Sequence, residues 1–400
     1  MEAWGKLGSR GVFAALLCML AALLLPTAAA AAPSASASIV GGHPVTIEEF
    51  PSLVYIEAVE GKHGFACTGT VVAPRIILTA AHCVEDIEKG TITPAAAYAL
   101  STGVANPRQA TADNIFHIVA THVFPGFDPG ILHGDAAILV IDRPTSVPPL
   151  SLAGSGDAAL YAGGAEAQLT GWGLTKANAK EAPSNLQATT MLVQSSNSCR
   201  KKVKRFYRPY SAEAQVCLLA TDRASGGCFG DSGGPAIGRR PDGSPVQLGV
   251  TSTGGPECST GTPTVLTRVD FISSWVSEWI AATESGAPPP TVDPNTPLPQ
   301  LSRESAEEFS VYTLIDSMGR RFKAADQVFG GCRKAGSGAF RCQVEWLFGR
   351  NVYAAQISPF YLHRQEAVAW DSHYRIEWAP RKCIEKQRNN RHCPIHKKRG

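Results

Sequence analysis

Short runs of β-forming residues recur along much of this 400-residue chain, and they constrain its fold more than any other feature. Clusters of Gly, Pro, Asn and Asp separate these runs, which are SLVYI, GTVVA, RIILTA, AAILVI, AQLTGWG and VQLGVTS. Evenly spaced short strands between turn signals predict a β-sandwich or β-barrel. Helical spacing appears at the end of this region in VDFISSWVSEWIAAT, where Phe271, Trp275 and Trp279 fall four residues apart. We therefore expect an all-β domain that ends in a helix with these three rings on one face.

A proline-rich segment divides the chain. Residues 285–300, SGAPPPTVDPNTPLPQ, contain six prolines and are typical of a semi-rigid linker. Charge changes at the same place, since residues 301–400 carry 18 Lys and Arg against 10 Asp and Glu, whereas residues 1–300 carry 19 against 24. With 44% hydrophobic residues, the chain is long enough to bury two cores. The composition predicts an acidic first domain and a basic second domain.

The amino-terminal segment has the pattern of a secretory signal peptide. Lys6 and Arg10 precede an apolar run of fourteen residues from Val12 to Leu25, and an alanine-rich tract follows. This run is shorter than the roughly 20 residues that a membrane-spanning helix needs, which disfavours an uncleaved anchor. We expect an exported, extracellular protein.

Two cleavage sites fit signal peptidase, which selects small residues at positions −3 and −1. Cleavage after Ala32 would make residues 1–32 the signal peptide and leave a propeptide of residues 33–38, which is the division we adopt. Cleavage after Ser38 would leave no propeptide.

The cysteine count agrees with export. Of 11 cysteines, Cys18 lies in the signal peptide, and the ten that are left are an even number. In an oxidising compartment they predict five disulfides.

Three segments carry the residue types of nucleophilic catalysis. Ser232 lies among glycines in GGCFGDSGGPA, and a serine becomes a good nucleophile only when a base removes its proton. His82 in LTAAHC could be that base if a carboxylate orients it. Asp135, at the start of the apolar run in HGDAAILVI, is the first candidate, and Asp128 and Asp142 are the alternatives.

These segments resemble the chymotrypsin/trypsin family of serine endopeptidases. The motifs IVGG, TAAHC, TGWGLT and GDSGGP match in the family's order, and the likeness covers residues 39–284. It implies two six-stranded antiparallel β-barrels with a catalytic triad in the cleft between them and no cofactor or metal. Ser232 would be the nucleophile, His82 the general base and Asp135 the orienting group. The N–H groups of Gly230 and Ser232 would form the oxyanion hole.

Two other functions are compatible with parts of the sequence. GDSGG also satisfies the G-x-S-x-G motif of α/β-hydrolases, which would make the protein a secreted esterase. That fold needs a histidine after the serine, and the first one, His363, lies beyond the proline-rich segment. A binding protein on an inactive protease scaffold is the other alternative, although all three triad residues are present.

The family resemblance also implies an activation step. In this family, a new amino terminus at the isoleucine of IVGG folds inward and pairs with the aspartate before the nucleophile. Here the pair would be Ile39 and Asp231. Most zymogens of the family have Arg or Lys before that isoleucine, whereas this chain has Ser38, so a trypsin-like activator is not implied.

The same resemblance locates the specificity pocket. Gly226 occupies the floor position that is Asp in trypsin-like members, so cleavage after Lys or Arg is disfavoured. Ser252 and Gly254 match the strand that pairs with substrate, with Thr253 in place of the usual tryptophan. Thr264 takes a wall position that is usually glycine.

Phe229 is expected at the pocket rim, and the balance favours Leu, Met, Phe or Tyr over Ala before the scissile bond. Glu257 lies close in sequence to the pocket wall and leaves polar preferences open.

Three disulfides are implied by the resemblance, namely Cys67–Cys83, Cys199–Cys217 and Cys228–Cys258. In the second domain we favour the local pairs Cys332–Cys342 and Cys383–Cys393 among the three pairings that four cysteines allow. A zinc cluster of Cys383 with the segment HCPIH is the alternative.

The second domain, residues 301–400, is predicted to be a small α+β domain linked by disulfides. The sequence from Ser305 suggests an amphipathic helix that stops at Gly330 and Gly331, and the alternation in FRCQVEW suggests a half-buried strand.

The terminal segment RKCIEKQRNNRHCPIHKKRG has eight Lys and Arg and one Glu, and it is either a solvated tail or a tether to polyanions such as cell-wall polymers. It contains no recognised nucleic-acid motif. We expect a monomer whose other partners are protein or peptide substrates.

Overall fold

The computed structural model describes residues 39–400, except 61–62, 88–90, 130–131, 180–183, 204–209, 288–300, 302, 324, 326, 337–338, 365–366, 381–395 and 400. The predicted signal peptide, the propeptide, most of the linker and the Cys383–Cys393 pair lie outside the described residues. No helix in the described part of the chain is both long and apolar enough to cross a membrane.

A first antiparallel sheet begins shortly after the IVGG segment. In sheet order, its described strands are Ile115–Phe116, Tyr98–Thr102, Leu53–Glu60, His63–Ala73, Ile76–Thr79, Ala137–Ile141 and Ile118–Val123. Its inner face is aliphatic, and Val54, Ile56, Ile76 and Leu78 are fully buried. Glu85–Asp86 and Thr91–Ile92 form a separate two-stranded sheet.

The second sheet closes on itself. In sheet order, its described strands are His43–Pro44, Gln187–Val193, Glu166–Gly171, Pro235–Arg239, Pro245–Thr253, Thr264–Arg268 and Gln215–Leu219. The last of these pairs back with Gln187–Val193, which completes a barrel. Ser151–Leu152 adds a short parallel pairing to Pro245–Thr253.

Each of the two sheets therefore contains six described strands of at least four residues, and the remaining strands are two residues long. The predicted pair of six-stranded barrels followed by a helix is confirmed. The sheets share one large buried cluster that also includes Ile39 and the face of the closing helix.

In the closing helix, Val269–Ser285, the three predicted rings face one neighbouring segment, since Phe271 and Trp275 both contact the ring of Phe124 and Trp279 stacks on His122. The buried residues of the helix are Val269, Ile272, Val276 and Trp279, whereas Phe271 is 37% exposed. The prediction of three rings on one face is confirmed, with Phe271 at the exposed edge of that face because residues four apart rotate by about 40° at each step. The helix ends at Gly286, which has a φ of +67° as in many helix C-caps.

The other described helices are short or belong to the C-terminal region. The α-helices are Ser196–Val203, Arg303–Met318 and Arg320–Lys323, and the 3₁₀ turns are Ala81–Cys83, Ala95–Ala97, Pro107–Gln109, Ser155–Tyr161 and Pro256–Cys258.

The C-terminal region forms an antiparallel sheet with a helix against one face. Its described strands, in order, are Gln327–Gly336, Ala339–Phe348, Asn351–Arg364, Ala367–Pro380 and His396–Arg399. Phe309 and Leu314 of the Arg303–Met318 helix lie in one buried cluster with Trp346 and Tyr353 of the sheet. The α+β prediction and the burial pattern of FRCQVEW are confirmed, since Cys342, Val344 and Trp346 are buried between exposed neighbours.

The predicted end of this helix is wrong. The main helix stops at Met318, because Gly319 has a left-handed φ of +51° and ends the helical backbone. Gly330 and Gly331 lie inside a strand instead of ending a helix. Gly330, with a φ of +148°, approaches Gln343 so closely that an added Cβ would lie 2.1 Å from its carbonyl oxygen.

Four of the predicted disulfides are present in the described residues. They are Cys67–Cys83, Cys199–Cys217, Cys228–Cys258 and Cys332–Cys342. The last one joins directly opposed residues of a hairpin, as the spacing suggested.

Candidate active site

His82 lies on the 3₁₀ turn that follows the Ile76–Thr79 strand, and the disulfide of its neighbour Cys83 fastens this turn to the adjacent strand. Its Nδ1 lies 2.7 Å from Asp135 Oδ2, and its backbone N–H donates to Asp135 Oδ1 at 3.0 Å. Both carboxylate oxygens therefore contact one residue, which fixes the imidazole ring and places the Nδ1 proton toward the aspartate.

Asp135 is fully buried where the two barrels meet. Ser252 of the second barrel donates its hydroxyl to Asp135 Oδ2 at 2.5 Å, and Thr267 donates to the Asp135 backbone oxygen at 3.0 Å. Burial alone would raise the pKa of the carboxyl, but the charge and hydrogen bonds of His82, with Ser252, outweigh it and lower that pKa below its usual value. Asp135 is therefore ionised at neutral pH. Sequence analysis assigned Ser252 only to substrate pairing and missed this contact.

The two alternative aspartates have other partners. Asp142 lies at the far end of the Ala137–Ile141 strand, where it accepts from the His117 backbone and pairs with Arg143. The carboxylate of Asp128 accepts from the Ser305 hydroxyl at 3.1 Å, and its backbone N–H donates to the His133 carbonyl.

Ser232 lies in a loop held by both barrels. Thr68 of the first barrel donates its N–H to the Ser232 carbonyl at 2.8 Å, and the next residue, Gly233, donates to Thr251 of the second barrel at 2.7 Å. Gly233 has a φ of +80°, and an added Cβ would lie 2.1 Å from Thr79 Oγ1. Only glycine allows this approach, which brings the serine loop against the strand that leads to His82.

The backbone around Ser232 leaves two donors available. Thr68 Oγ1 donates to the carbonyl of Gly230, whose φ is +102°. Within the described residues, neither the Gly230 nor the Ser232 N–H donates to a backbone carbonyl. These are the two groups predicted to stabilise a developing oxyanion.

Asp231 is a second fully buried carboxyl. It accepts from the Gly173 N–H at 2.8 Å and from the Cys228 N–H at 2.9 Å. A Cβ on Gly171 or Gly173 would lie within 2.5 Å of its carboxylate, so these glycines make room for it. Burial raises the pKa of Asp231 to about 7, and these two backbone hydrogen bonds only partly oppose the shift.

The IVGG segment is docked close to this loop. Ile39 is fully buried, and Val40 accepts a hydrogen bond from Gly226 at 3.0 Å, two residues before the Cys228 that contacts Asp231. Gly41 has a φ of +71°, and an added Cβ would lie 2.4 Å from the Ala224 carbonyl.

The predicted pocket floor and wall lie together. The N–H of Gly227 donates to Thr264 Oγ1 at 3.1 Å, and a Cβ added to Gly226 would lie 4.0 Å from the same atom. Thr264 is buried and its hydroxyl is hydrogen-bonded. Neither Gly226 nor Thr264 has a charged side chain, so the floor and this wall of the pocket are uncharged. Gly254 is exposed at the end of the strand that carries Ser252.

Phe229 is 64% exposed and borders a cavity of about 730 Å³. Lys176 and Glu257 line the same cavity, together with Val40, Thr175, Ala177, Asn178, Cys258, Ser259 and Thr260. Sequence analysis missed residues 176–178, which follow directly after the TGWGLT motif.

His82 also lies near the sulfur atoms of Cys67 and Cys83, but these two sulfurs form a disulfide and offer no thiolate to a metal ion. The structure brings Asp135 to His82, and it brings the Ser232 loop against the strand that precedes His82.

Comparison with known proteins agrees with this arrangement. The family model described as Trypsin matches residues 39–276, and the chain belongs to that family. A "Trypsin" from Saccharopolyspora erythraea is 29% identical over 247 residues, which cover 61% of this chain and 99% of the relative. A "Chymotrypsin" from Phaedon cochleariae is 28% identical over 255 residues, covering 62% and 84%. A "Trypsin beta" from Drosophila erecta is 27% identical over 244 residues, covering 60% and 87%. The protein is a serine endopeptidase.

The two aspartates at opposite ends of one strand give a matched test. Asp135→Asn should lower kcat on a peptide substrate by about four orders of magnitude, because an amide does not hold the required His82 tautomer. Asp142→Asn, which changes a carboxylate paired with Arg143, should leave kcat within about twofold. Steady-state kinetics of both variants would measure this, and equal losses in the two would refute the assignment of Asp135.

Proposed function

We propose that this protein is a secreted serine endopeptidase that cleaves peptide bonds after uncharged apolar residues. The observation that carries the proposal is the 2.7 Å contact between His82 Nδ1 and an ionised, fully buried Asp135. This contact leaves Nε2 of His82 as the basic nitrogen of a side chain that is 21% exposed.

The mechanism assigns one role to each group. Ser232 Oγ attacks the substrate carbonyl while His82 Nε2 accepts the hydroxyl proton, and the Gly230 and Ser232 N–H groups stabilise the oxyanion. His82 then donates the proton to the leaving amine, and an acyl-enzyme forms. Water attacks the ester by the same route in reverse, which releases the acid and restores Ser232.

The pocket supports an apolar preference. Gly226 carries no carboxylate to pair with Lys or Arg, and the hydroxyl of Thr264 is occupied by the N–H of Gly227. An apolar side chain would bury its surface there without leaving a charge unpaired. Leu, Met, Phe or Tyr are preferred over Ala.

A peptide-library profile tests this preference. Wild-type enzyme should cleave after apolar residues, with Ser232→Ala as the inactive control. Gly226→Asp should move the preference toward Lys and Arg, since an added Cβ has no neighbour closer than 3.7 Å and would supply the missing charge. A wild-type profile dominated by basic residues would contradict the proposal.

Secretion is supported by two features. The amino-terminal residues have the order of a signal peptide, and the described residues contain four disulfides, which persist in oxidising compartments.

Activation is proposed to depend on a free amine at Ile39. Asp231 is buried with two backbone donors and no cation among the causes of its raised pKa, so it would gain from a positive partner. An ammonium at Ile39 would supply that charge and keep the Gly230 and Ser232 N–H groups in position.

Processing and alkaline pH should therefore both control activity. The opposite charge of Asp231 should raise the pKa of the Ile39 amine above the usual value of about 7.7–8.0, so the pair is stable at neutral pH and is lost as pH climbs through the raised value. Activity should fall reversibly on the alkaline side, and enzyme that retains Ser38 should be at least about a hundredfold less active, the scale of a lost oxyanion donor. N-terminal sequencing of active enzyme and pH–rate curves would measure this. Full activity with Ile39 acetylated would contradict it.

The C-terminal domain is proposed to tether the enzyme to a phosphate-rich anionic polymer. One face of its sheet lacks the helix and carries exposed arginines. Arg333 lies directly opposite Arg341, and Arg375 lies directly opposite Arg399. Like charges in register on neighbouring strands repel each other, and a bound polyanion would relieve that repulsion. Glu377 offsets only part of this charge, through Arg375 and Lys397.

Binding to immobilised polyphosphate tests the tether. Full-length protein should bind and elute with rising salt, because exposed charges are screened within about 8–10 Å at ordinary ionic strength. Arg333→Gln with Arg341→Gln should weaken binding several-fold, whereas Arg239→Gln, an exposed arginine of the protease domain, should not. Peptidase activity should be unchanged in both. Salt-insensitive binding, or no binding, would leave the basic region as a solvated surface.

A further inference from the structure

Glu257 and Cys258 adopt a backbone conformation that normally selects glycine. They lie in the 3₁₀ turn Pro256–Cys258 and have φ angles of +51° and +57°. A side chain in this left-handed region crowds its own backbone, so most residues other than glycine stay there only when the surrounding structure holds them. The Cys228–Cys258 disulfide holds Cys258 to the loop of the nucleophile. It gives no reason for a glutamate at position 257, where glycine would avoid the strain.

Glu257 lines the cavity of about 730 Å³ together with Phe229, which lies three residues before Ser232. Thr260 lines the same cavity, and its Cα would lie 3.7 Å from a Cβ added to Gly226 at the pocket floor. The cavity therefore adjoins both the nucleophile loop and the pocket that is proposed to hold an apolar residue of the substrate.

Glu257 and Lys176 are the charged residues that line this cavity. Within the described part of the chain, neither the Glu257 carboxylate nor the Lys176 ammonium forms a hydrogen bond or an ion pair. The left-handed turn and the neighbouring disulfide restrict Glu257, whereas Lys176 would lose much rotamer freedom on being fixed. Glu257 is therefore the better prepared of the two to bind an opposite charge.

The charge of the domain and the uncharged pocket floor both favour a basic partner in the cavity. Residues 1–300 carry 24 Asp and Glu against 19 Lys and Arg, and such an excess attracts cations. A lysine or arginine finds no carboxylate at the floor, since the three atoms nearest to a Cβ on Gly226 belong to Thr260 and Thr264.

An extended substrate that pairs with Ser252 and Gly254 leads toward Glu257, because Glu257 follows Gly254 by three residues. We propose that Glu257 is a second specificity determinant, which binds a lysine or arginine side chain of the substrate upstream of the apolar residue at the scissile bond. The exposed Phe229 ring covers the aliphatic part of that side chain, and the carboxylate accepts hydrogen bonds from its cation. The proposal rests on the proposed preference for an apolar residue directly before the scissile bond.

The first test uses peptides with one apolar cleavage site and either lysine or glutamine at each upstream position in turn. The measured quantity is the ratio of kcat/KM for the lysine peptide to kcat/KM for the glutamine peptide. In wild-type enzyme this ratio should reach several-fold at one upstream position and fall with added salt. Glu257→Gln should bring the ratio close to one, whereas Lys176→Gln should raise it, because a competing cation has been removed.

Glu213→Gln is the matched control, since Glu213 is an exposed carboxylate of the same domain that does not line the cavity. Its ratio should equal that of wild type. A wild-type ratio near one at every upstream position, or an equal fall in Glu213→Gln, would overturn the proposal.

Glu257→Gly separates substrate binding from a structural role. Glycine adopts the left-handed turn without strain, so this variant should lose the lysine preference while its Tm stays at or above the wild-type value. A Tm that falls in both Glu257→Gly and Glu257→Gln would identify the carboxylate as a structural group and overturn the proposal.

Binding to Ser232→Ala enzyme distinguishes failure of this proposal from failure of the proposed function. The inactive enzyme should bind the lysine peptide several-fold more tightly than the glutamine peptide, and adding Glu257→Gln should remove the difference. Cleavage directly after lysine would refute the proposed apolar preference, whereas equal binding of the two peptides would refute the role of Glu257 alone.

Discussion

The hydrogen bonding of one fully buried carboxylate, Asp135, is the interaction on which the active site depends. His82 contacts both of its oxygens from the first barrel, and Ser252 reaches it from the second. A buried charge is tolerated only when its partners are well placed, so the two barrels must pack in one arrangement for Asp135 to remain ionised. The same arrangement orients the imidazole ring of His82. The contacts of Asp135 therefore both hold the two barrels together and prepare His82 to act as a base.

Asp231 is also a buried carboxyl group that needs stabilising contacts, but its partners differ from those of Asp135. It is equally buried, but its described partners are two backbone N–H groups, and burial raises its pKa to about 7. Asp135 therefore has hydrogen-bonding side chains built into the fold, whereas we propose that Asp231 gains a positive partner from a new amino terminus at Ile39. In this account, Asp135 orients the general base His82 and Asp231 holds the backbone of the oxyanion hole. Only the role of Asp231 depends on processing at Ile39.

Glu85 is a third buried carboxyl in the same domain, and neither of its oxygens has a hydrogen-bond partner among the described residues.

The sequence predicted the parts of this structure that local patterns determine. Turn residues between β-rich runs indicated the barrels, and four ordered motifs indicated the residues that the fold brings together. Contacts between distant segments carry no local signal, so Ser252 was not recognised as a partner of Asp135. Burial of Glu85 was also not predicted, because glutamate is usually exposed. Phe271 lies at the exposed edge of the predicted ring face because four-residue spacing follows a helix face only approximately. The helix predicted to run to Gly330 ends at Met318, because Gly319 adopts a left-handed backbone conformation that the sequence pattern did not indicate.

The central claim is that the buried Asp135–His82 contact makes Ser232 a reactive nucleophile. Treatment of the processed enzyme with a fluorophosphonate probe, followed by mass spectrometry of the labelled peptide, measures this reactivity at a single atom. The account predicts one label per molecule, located on Ser232, that disappears when the protein is unfolded before treatment. No label on natively folded, processed enzyme, or a label on a different serine, would contradict it.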